Sequence, residues 1–565
     1  MPPLSVRATA TLNCRSDHAS AECQSLGVLS ESHDNNSPMT SEERIHARRW
    51  YTLAVLCLSL VLIVAGNSSL NVALPDISER LGSGPAALQW IVNIYGLLFA
   101  GLLLPAGALA DRFGRKTALQ GGLLVFALAA LAASYGTETW HLIVARGVMG
   151  VGAAFIMPGT LSVLANVFKS PRERSRAIAI WAGFAGLGGA LGTVLSGMLL
   201  VNSSWAATFR INAPIAALAL IAGLWLVPNS SDPHEAVLDP LGVILAIGGT
   251  GALLFAIIEA PTYGWFSPRT LGELAAAVVL LGGFAWWELH TDHPMLDVRL
   301  FRNRGFSIGS STIALQYMAM FGLYFALAQY LQLGHGYSPL ETAFIGLPIG
   351  VFALIGAPLS AMNVSRFGSR AVVGSGLIVS GSGLVILALT ASPTVSVGLI
   401  ILGFSLVGLG NGQTTAPSTT LIMNSVPRAK SGVGSAVNDL SRELGGAIGI
   451  AIFGSILNYV YQVDIVSRLS AFPESVRDHA RTSIVTAFEA AGEVAKSGDV
   501  KGSAFIADQA REAFSHAFGR TMLYAAAVIF LNSLIVWTRQ SRHRPEPTPP
   551  SRQVPPSTGA TRASD

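Results

Sequence analysis

Apolar runs of about 20 residues, the length that crosses a bilayer as a helix, recur along the chain with short polar connections between them. They predict spans at 51–74, 88–110, 118–135, 141–165, 177–200, 207–227, 239–259, 271–289, 307–331, 341–363, 371–391, 396–424, 433–461 and 517–538. The pattern is that of an all-α polytopic membrane protein of about fourteen spans, with both termini on the same side. Residues 1–50 are polar and end in Arg44, His46, Arg48 and Arg49, and residues 539–565 are polar again; both read as disordered tails. The connection 462–516 is mixed in charge, and its Phe, Ile and Ala spacing predicts amphipathic helix outside the membrane, with disorder as the alternative.

Loop charges give the sidedness. Alternate connections carry Arg112/Arg115/Lys116, Lys169/Arg172/Arg174/Arg176, Arg299/Arg302/Arg304, Arg366/Arg370 and Arg428/Lys430, and the C-terminal tail begins Arg539, Arg542, Arg544. The opposite connections near 136–140, 332–340 and 392–395 have neither Lys nor Arg. Positive loops stay cytoplasmic, so both tails are expected in the cytoplasm. The connection 228–238 departs from the rule, because it is predicted cytoplasmic and has no basic residue.

A repeat is visible within the chain. Leu187-Gly-Gly-Ala-Leu-Gly192 returns as Leu444-Gly-Gly-Ala-Ile-Gly449, Pro171-Arg172 as Pro427-Arg428, and Arg112-Phe-Gly114 as Arg366-Phe-Gly368, each about 255 residues later. A same-sense repeat implies two similar bundles about an axis along the membrane normal, with a substrate site midway between them. Six spans precede residue 228 and six follow residue 306. The expected organisation is therefore an N-terminal six-helix bundle (51–228), two inserted transmembrane helices with their linker (229–305), and a C-terminal six-helix bundle (306–538).

Composition narrows the chemistry. Hydrophobic types make up 51% and charged types 12% of the residues, about half the charge of a soluble chain, and mean hydropathy is +0.52. A net charge of +4 placed in short loops does not suggest a nucleic-acid partner. Cys14 and Cys23 lie in the tail and Cys57 in the first span, without metal-ligand or disulfide spacing. No nucleotide-cradling loop, metal cluster or nucleophile constellation is present, so neither an enzyme nor a cofactor is expected.

Between the second and third spans stands Gly107-Ala-Leu-Ala-Asp-Arg-Phe-Gly-Arg-Lys116. This resembles the signature loop of the major facilitator superfamily. Together with the span count, Asn71-Val-Ala-Leu-Pro-Asp76, Gln89-Trp90, Tyr95, Leu142-Ile-Val-Ala-Arg-Gly147 running to Pro158, Asp297-Val-Arg-Leu-Phe-Arg302, Ser338-Pro-Leu-Glu341 and Asn438-Asp-Leu-Ser-Arg-Glu-Leu-Gly445 resemble its fourteen-span drug:proton antiporter branch. The resemblance covers 50–540 and implies a proton-driven efflux transporter of lipophilic, often cationic, drugs or antibiotics. It implies a monomer in the plasma membrane, contacting lipid, small-molecule substrate and protons. The alternatives are a dedicated exporter of a neutral natural product and a non-transporting sensor or scaffold.

Ionisable side chains in hydrocarbon are costly, and each is a candidate for function. Asp439 and Glu443, four residues apart, share one face of the thirteenth span with Arg442 on the adjoining flank. Burial disfavours a charged carboxylate and a nearby arginine favours it, so this group suits proton exchange; an intrahelical salt bridge that helps insertion is the plainer reading. Arg146 matches the family's membrane arginine, implied to take part in proton transfer, against a snorkelling helix-end arginine. The loop residues Gly107, Asp111, Arg112, Gly114, Arg115 and Lys116 are implied to form a gate latch holding the two bundles together. Candidates for the cavity wall are Trp90, Asn93, Tyr95, Gln316, Tyr317, Tyr324, Gln329 and Gln332, whose rings and amides suit flat cations; interfacial anchoring is their other use. Glu259 and Glu341 read as solvated caps near span ends.

The chain departs from the family pattern twice. In the glycine-rich fifth span Thr193 stands where proline is expected and Ser196 where glycine is. Gly66 occupies the first-span position where relatives that handle dications have an aspartate. A monovalent or neutral lipophile, or other acids doing that work, would follow.

Overall fold

The computed structural model describes residues 41–83, 85–229, 239–292, 294–427 and 430–540. The expected tails beyond these, Cys14, Cys23 and Arg428 lie outside the described residues, as do the side chains of Arg44, His46, Asn71 and Gln89. The chain divides into two compact units, 1–47 and 48–565; the second holds everything considered below.

Sixteen α-helices follow one another among the described residues: α1 Ser41–Leu81, α2 Pro85–Phe113, α3 Arg115–Ser134, α4 Thr139–Val167, α5 Pro171–Asn202, α6 Trp205–Arg210, α7 Asn212–Leu226, α8 Pro240–Tyr263, α9 Pro268–His290, α10 Arg304–Gln329, α11 Pro339–Leu389, α12 Val397–Asn424, α13 Ser431–Arg468, α14 Glu474–Thr482, α15 Ile484–Lys496 and α16 Val500–Arg539. Among the described residues thirteen helical stretches are long and apolar enough to cross a membrane. One of them, Leu340–Leu389, is 50 residues long, and at about 1.5 Å per residue it exceeds twice the hydrocarbon thickness. It breaks at Gly368, whose φ of 79° takes the chain out of the helix, so it accounts for two crossings. The total is fourteen.

The repeated Arg-Phe-Gly motif makes the same turn in both halves. Gly114 has φ 109° between α2 and α3, and Gly368 has the corresponding positive φ. Only glycine adopts this region without strain, which explains why the third residue of the motif is glycine.

Helices α2–α7 pack together as one bundle, which α1 joins through Thr52 on α7 and Ser69 on α5, and α10–α13 with α16 form the other. Of the inserted pair, α8 lies against α2 and α13, and α9 packs on α8. The bundles meet where α5 packs on α11 and α12 and where α2 and α4 pack on α13. Small residues bring these helices together. A Cβ on Gly350 would stand 3.0 Å from the Gly186 carbonyl oxygen, and a Cβ on Gly192 would stand 2.4 Å from that of Ala65. With lipid tails as apolar as the side chains, such packing takes the place of hydrophobic drive.

The segment 462–516 is helical and folded onto the second bundle. α13 runs on to Arg468 and α16 begins at Val500, both reaching past the predicted spans 433–461 and 517–538, with α14 and α15 between them. Ala480, Ile484, Ala487, Ala491, Ile506 and Phe514 join one apolar core with Tyr461 and Phe518. The Tyr461 hydroxyl donates to the Ala480 carbonyl at 3.1 Å, and Arg468 bridges Asp464 of its own helix and Glu512 of α16. Tertiary packing, which a single helix pattern does not display, replaces the expected choice between a membrane-surface helix and disorder.

α5 passes unbroken through the two departures noted above. Thr193 bonds back to the Gly189 carbonyl at 3.1 Å, and Ser196 donates to the Ser69 carbonyl of α1 at 2.8 Å. Gly192→Val, which forces a side chain into the α1 backbone, is expected to lower the thermal unfolding midpoint by the equivalent of about 1–3 kcal/mol. Gly121→Ala, with nothing within 4 Å of the new Cβ, is expected to leave it unchanged or raise it slightly. Equal behaviour of the two variants in a thermal-shift assay would remove close approach as the reason for the glycines.

Candidate functional site at the seam between bundles

The charged turn after α2 reaches across the seam. Asp111 is fully buried. It accepts from the Gly432 amide at 3.0 and 2.8 Å and from the Val433 amide at 3.3 Å. Those amides belong to the first turn of α13, where N–H groups have no partner within the helix and the helix carries partial positive charge. A carboxylate of the first bundle thus caps a helix of the second. Arg115, one turn on, donates its Nε to the same carboxylate at 2.8 Å. The approach needs both glycines: a Cβ on Gly107 would lie 2.6 Å from the Gly432 carbonyl oxygen, and one on Gly432 would lie 2.7 Å from Asp111 Cγ.

The other loop residues turn elsewhere. Arg112 lies over the Phe113 ring at 5.0 Å. Lys116 donates to the Leu224 carbonyl at 2.7 Å, capping the end of α7 inside the first bundle. A contact not foreseen from the sequence also crosses the seam: Arg174 at the start of α5 donates to Asn424 at the end of α12 at 2.6 Å.

Deeper in the seam the ionisable groups form one array. Arg146 is fully buried, which removes the snorkelling alternative. It donates to the Ile91 carbonyl at 3.2 Å and to Asn67 at 2.9 Å, and its guanidinium stands 4.3 Å from the centre of the Tyr95 ring. Tyr95 is in electrostatic reach of Glu443 on α13. One turn back, Asp439 is fully buried; its Oδ1 accepts from Asn438 at 2.9 Å, and its Oδ2 has no hydrogen-bond partner among the described residues.

Arg442 does not form the intrahelical salt bridge considered above. Its guanidinium lies 5.4 Å from the Trp181 ring of α5 and 4.7 Å from the Tyr317 ring of α10, with Nε and Nη2 lacking hydrogen-bond partners among the described residues. Trp181, itself fixed by a bond from Nε1 to Thr160 Oγ1 at 3.1 Å, carries no sequence signal that would have singled it out. Faces of aromatic rings attract cations most strongly where water is excluded. The result is a guanidinium suspended between rings of both bundles, near two carboxylates.

The cavity-wall candidates separate. Tyr95 and Tyr317 belong to this array. Trp90 and Asn93 instead line a crevice with Phe255 and Glu259 of the inserted helix α8. Gln316 donates to Ser380 inside the second bundle at 3.2 Å, Tyr324 packs on that bundle's core, and Gln329 bonds the Phe325 carbonyl of its own helix. Gln332 lies in the short π-helical turn Tyr330–Gly334. Glu259 faces Arg269 at 3.7 Å. Glu341 closes a capping box with Ser338 at the start of α11. Gly66 faces Asn212 and Phe126 inside the first bundle, a Cβ there standing 3.2 and 3.3 Å from them; an acid at this position would meet helix packing, not the array.

Residues 56–450 match the Major Facilitator Superfamily. The chain is 33% identical over 435 residues to the multidrug resistance protein Stp of Mycobacterium tuberculosis, covering 77% of this chain and 81% of that protein. It is 32% identical over 496 residues to the multidrug efflux pump LfrA of Mycolicibacterium smegmatis, covering 88% and 97%. It is 30% identical over 433 residues to the tetracenomycin C resistance and export protein of Streptomyces glaucescens, covering 76% and 80%. In fold it is similar to the human organic anion transporter MFSD10, with a TM-score of 0.55, 14% identity and coverage of 88% and 100%.

Arg146→Lys tests the geometry of the array. A lysine cannot serve Asn67 and the Ile91 carbonyl from one planar group, so the variant is expected to lose roughly 1–3 kcal/mol of stability, read as a lower unfolding midpoint of the purified protein. An unchanged midpoint would contradict the assigned contacts.

Proposed function

The chain belongs to the major facilitator superfamily, and from that premise we propose that it exports hydrophobic, often cationic, drugs or antibiotics across the plasma membrane in exchange for protons. The relatives named multidrug resistance protein and multidrug efflux pump support the substrate class. Both termini face the cytoplasm, the working unit is a monomer, and the proton gradient supplies the energy without a cofactor. The observation that carries the coupling is Asp439, fully buried with one carboxylate oxygen unpartnered among the described residues.

Transport in this reading alternates the side on which the array is open. Asp439 takes a proton from outside and releases it inside, in competition with substrate. Arg442 and Glu443 set the local charge that makes this exchange possible, and Arg146 holds Tyr95 against the same space. The Asp111 carboxylate on α13 keeps the cytoplasmic end closed while the outer end is open; breaking three hydrogen bonds to a charged acceptor, each of about 1.5–3 kcal/mol, is compensated when substrate or proton binding favours the other state.

A second reading, export of a neutral natural product, is favoured by Gly66, where the first span has no acid and a Cβ would already press on Asn212 and Phe126, and by the relative named for tetracenomycin C export.

Efflux of a fluorescent lipophilic cation from proteoliposomes under an imposed pH gradient distinguishes these. The unaltered chain is expected to show gradient-dependent flux, and Asp439→Asn to reduce it at least about tenfold. Flux retained in Asp439→Asn would move the coupling to Glu443 or Arg146, and no cation flux by a correctly inserted chain would favour the neutral substrate. In the same assay Asp111→Asn is expected to abolish net efflux with insertion intact; normal flux would remove the latch.

A further inference from the structure

The guanidinium of Arg442 fills a slot built for a cation. Arg442 is 3% exposed, and both the Trp181 ring at 5.4 Å and the Tyr317 ring at 4.7 Å lie within the roughly 6 Å reach of cation–π attraction. Each bundle contributes one ring. Trp181 is held from behind, because Thr160 accepts its Nε1 at 3.1 Å and donates in turn to the Met157 carbonyl at 2.8 Å. Tyr317 packs edge-on against Phe321 with ring centres 5.9 Å apart. The rings offer a face for charge and no acceptor for N–H groups, so Nε and Nη2 of Arg442 go without hydrogen bonds among the described residues. A guanidinium fits such a slot poorly. A cation that carries no N–H group leaves nothing unsatisfied there.

Arg442 has another place to go. Asp439 stands three residues earlier on α13, the spacing at which an aspartate and an arginine meet on one helix face. It is fully buried; its Oδ1 accepts from Asn438 at 2.9 Å, and Asn438 is fixed by Thr419 of α12 at 2.8 Å. Its Oδ2 is unpartnered among the described residues. Two unmet groups that suit each other thus share one helix. The other ionisable groups of this part of the seam are Glu443 on α13, Tyr317 on α10, Tyr95 on α2 and Arg146 on α4. α12 has none, α8 has them only near its C-terminal end, and α16 has none between Tyr524 and Arg539.

We propose that the slot between Trp181 and Tyr317 is a subsite for a monovalent lipophilic cation without N–H groups, held by Arg442 until substrate displaces it onto Asp439. The proposal rests on reading the chain as a cation exporter. As the guanidinium swings over, the carboxylic acid of Asp439 gives its proton to water on the open side, and carboxylate and guanidinium pair. One monovalent cation enters and one proton leaves, so the charge of the seam does not change. Substrate and proton therefore compete although they bind to different atoms, and Arg442 carries the competition from one to the other.

Equilibrium binding of tetraphenylphosphonium to the full chain in lipid nanodiscs, with released protons counted by an indicator dye, tests this. The unaltered chain is expected to release about one proton for each cation bound and to bind more weakly as pH falls. Tyr317→Leu is expected to weaken binding about tenfold, Tyr317→Phe, which keeps the ring, much less, and Trp181→Phe severalfold. Arg442→Gln, which empties the slot, is expected to bind more tightly, without proton release and without pH dependence; Arg442→Lys, which keeps the charge, is expected to restore part of the release. Asp439→Asn should weaken binding, because Arg442 then has no charged partner to leave for. Full proton release by Arg442→Gln would mean that substrate meets the acid directly, and the exchange through Arg442 would be wrong. Equal affinities of Tyr317→Leu, Trp181→Phe and the unaltered chain would overturn the subsite and leave cation export standing. If a correctly inserted unaltered chain neither binds nor transports the cation, the export reading fails and takes this proposal with it.

Discussion

A carboxylate of one bundle seated on the first turn of a helix of the other is the contact on which the remaining structure depends. Asp111 and the amides of Gly432 and Val433 are separated by more than three hundred residues in sequence. Burial raises the energetic stakes of this contact: an unpaired charge at that depth would cost several kcal/mol, whereas the paired one is satisfied by amides that otherwise lack partners. Gly107 and Gly432 are the steric condition for the contact, and Arg115 neutralises the acid from its own side.

Beyond the latch, the seam holds charge in an arrangement that is incompletely satisfied. Among the described residues Arg442 has two guanidinium nitrogens without hydrogen-bond partners and Asp439 one oxygen. Buried polar groups are normally paired, so charged side chains left with unmet demand in the seam suit a site that changes partners. The rings of Trp181 and Tyr317 hold the guanidinium without committing its N–H groups. A static structural protein would gain by closing these bonds. A carrier that exchanges proton and substrate needs them open.

Much of the scaffold was legible from the hydrophobic pattern, because a bilayer-crossing helix must be apolar over its whole length whatever it packs against. The turn at Gly114 and its counterpart at Gly368 were marked by one repeated tripeptide. Partners across the seam were not legible. Nothing local to Asp111 points to the start of α13, and Trp181 stands in a run of apolar residues like any other core aromatic. Trp90 and Asn93 show the same limit from the other side: their residue types suited a cavity wall, but the inserted helix α8 covers that face of α2. The helices α14 and α15 were obscured because their apolar faces are short and become a core only against Tyr461, Phe514 and Phe518.

The claim that the seam parts and closes is tested most directly by a distance across it. Spin labels at Thr117, just after the Gly114 turn, and Arg366, just before the Gly368 turn, both exposed, would be measured by double electron–electron resonance in lipid. Two distance populations whose ratio shifts with pH and with added lipophilic cation are the expected result. A single distance, unmoved by either, would contradict the account.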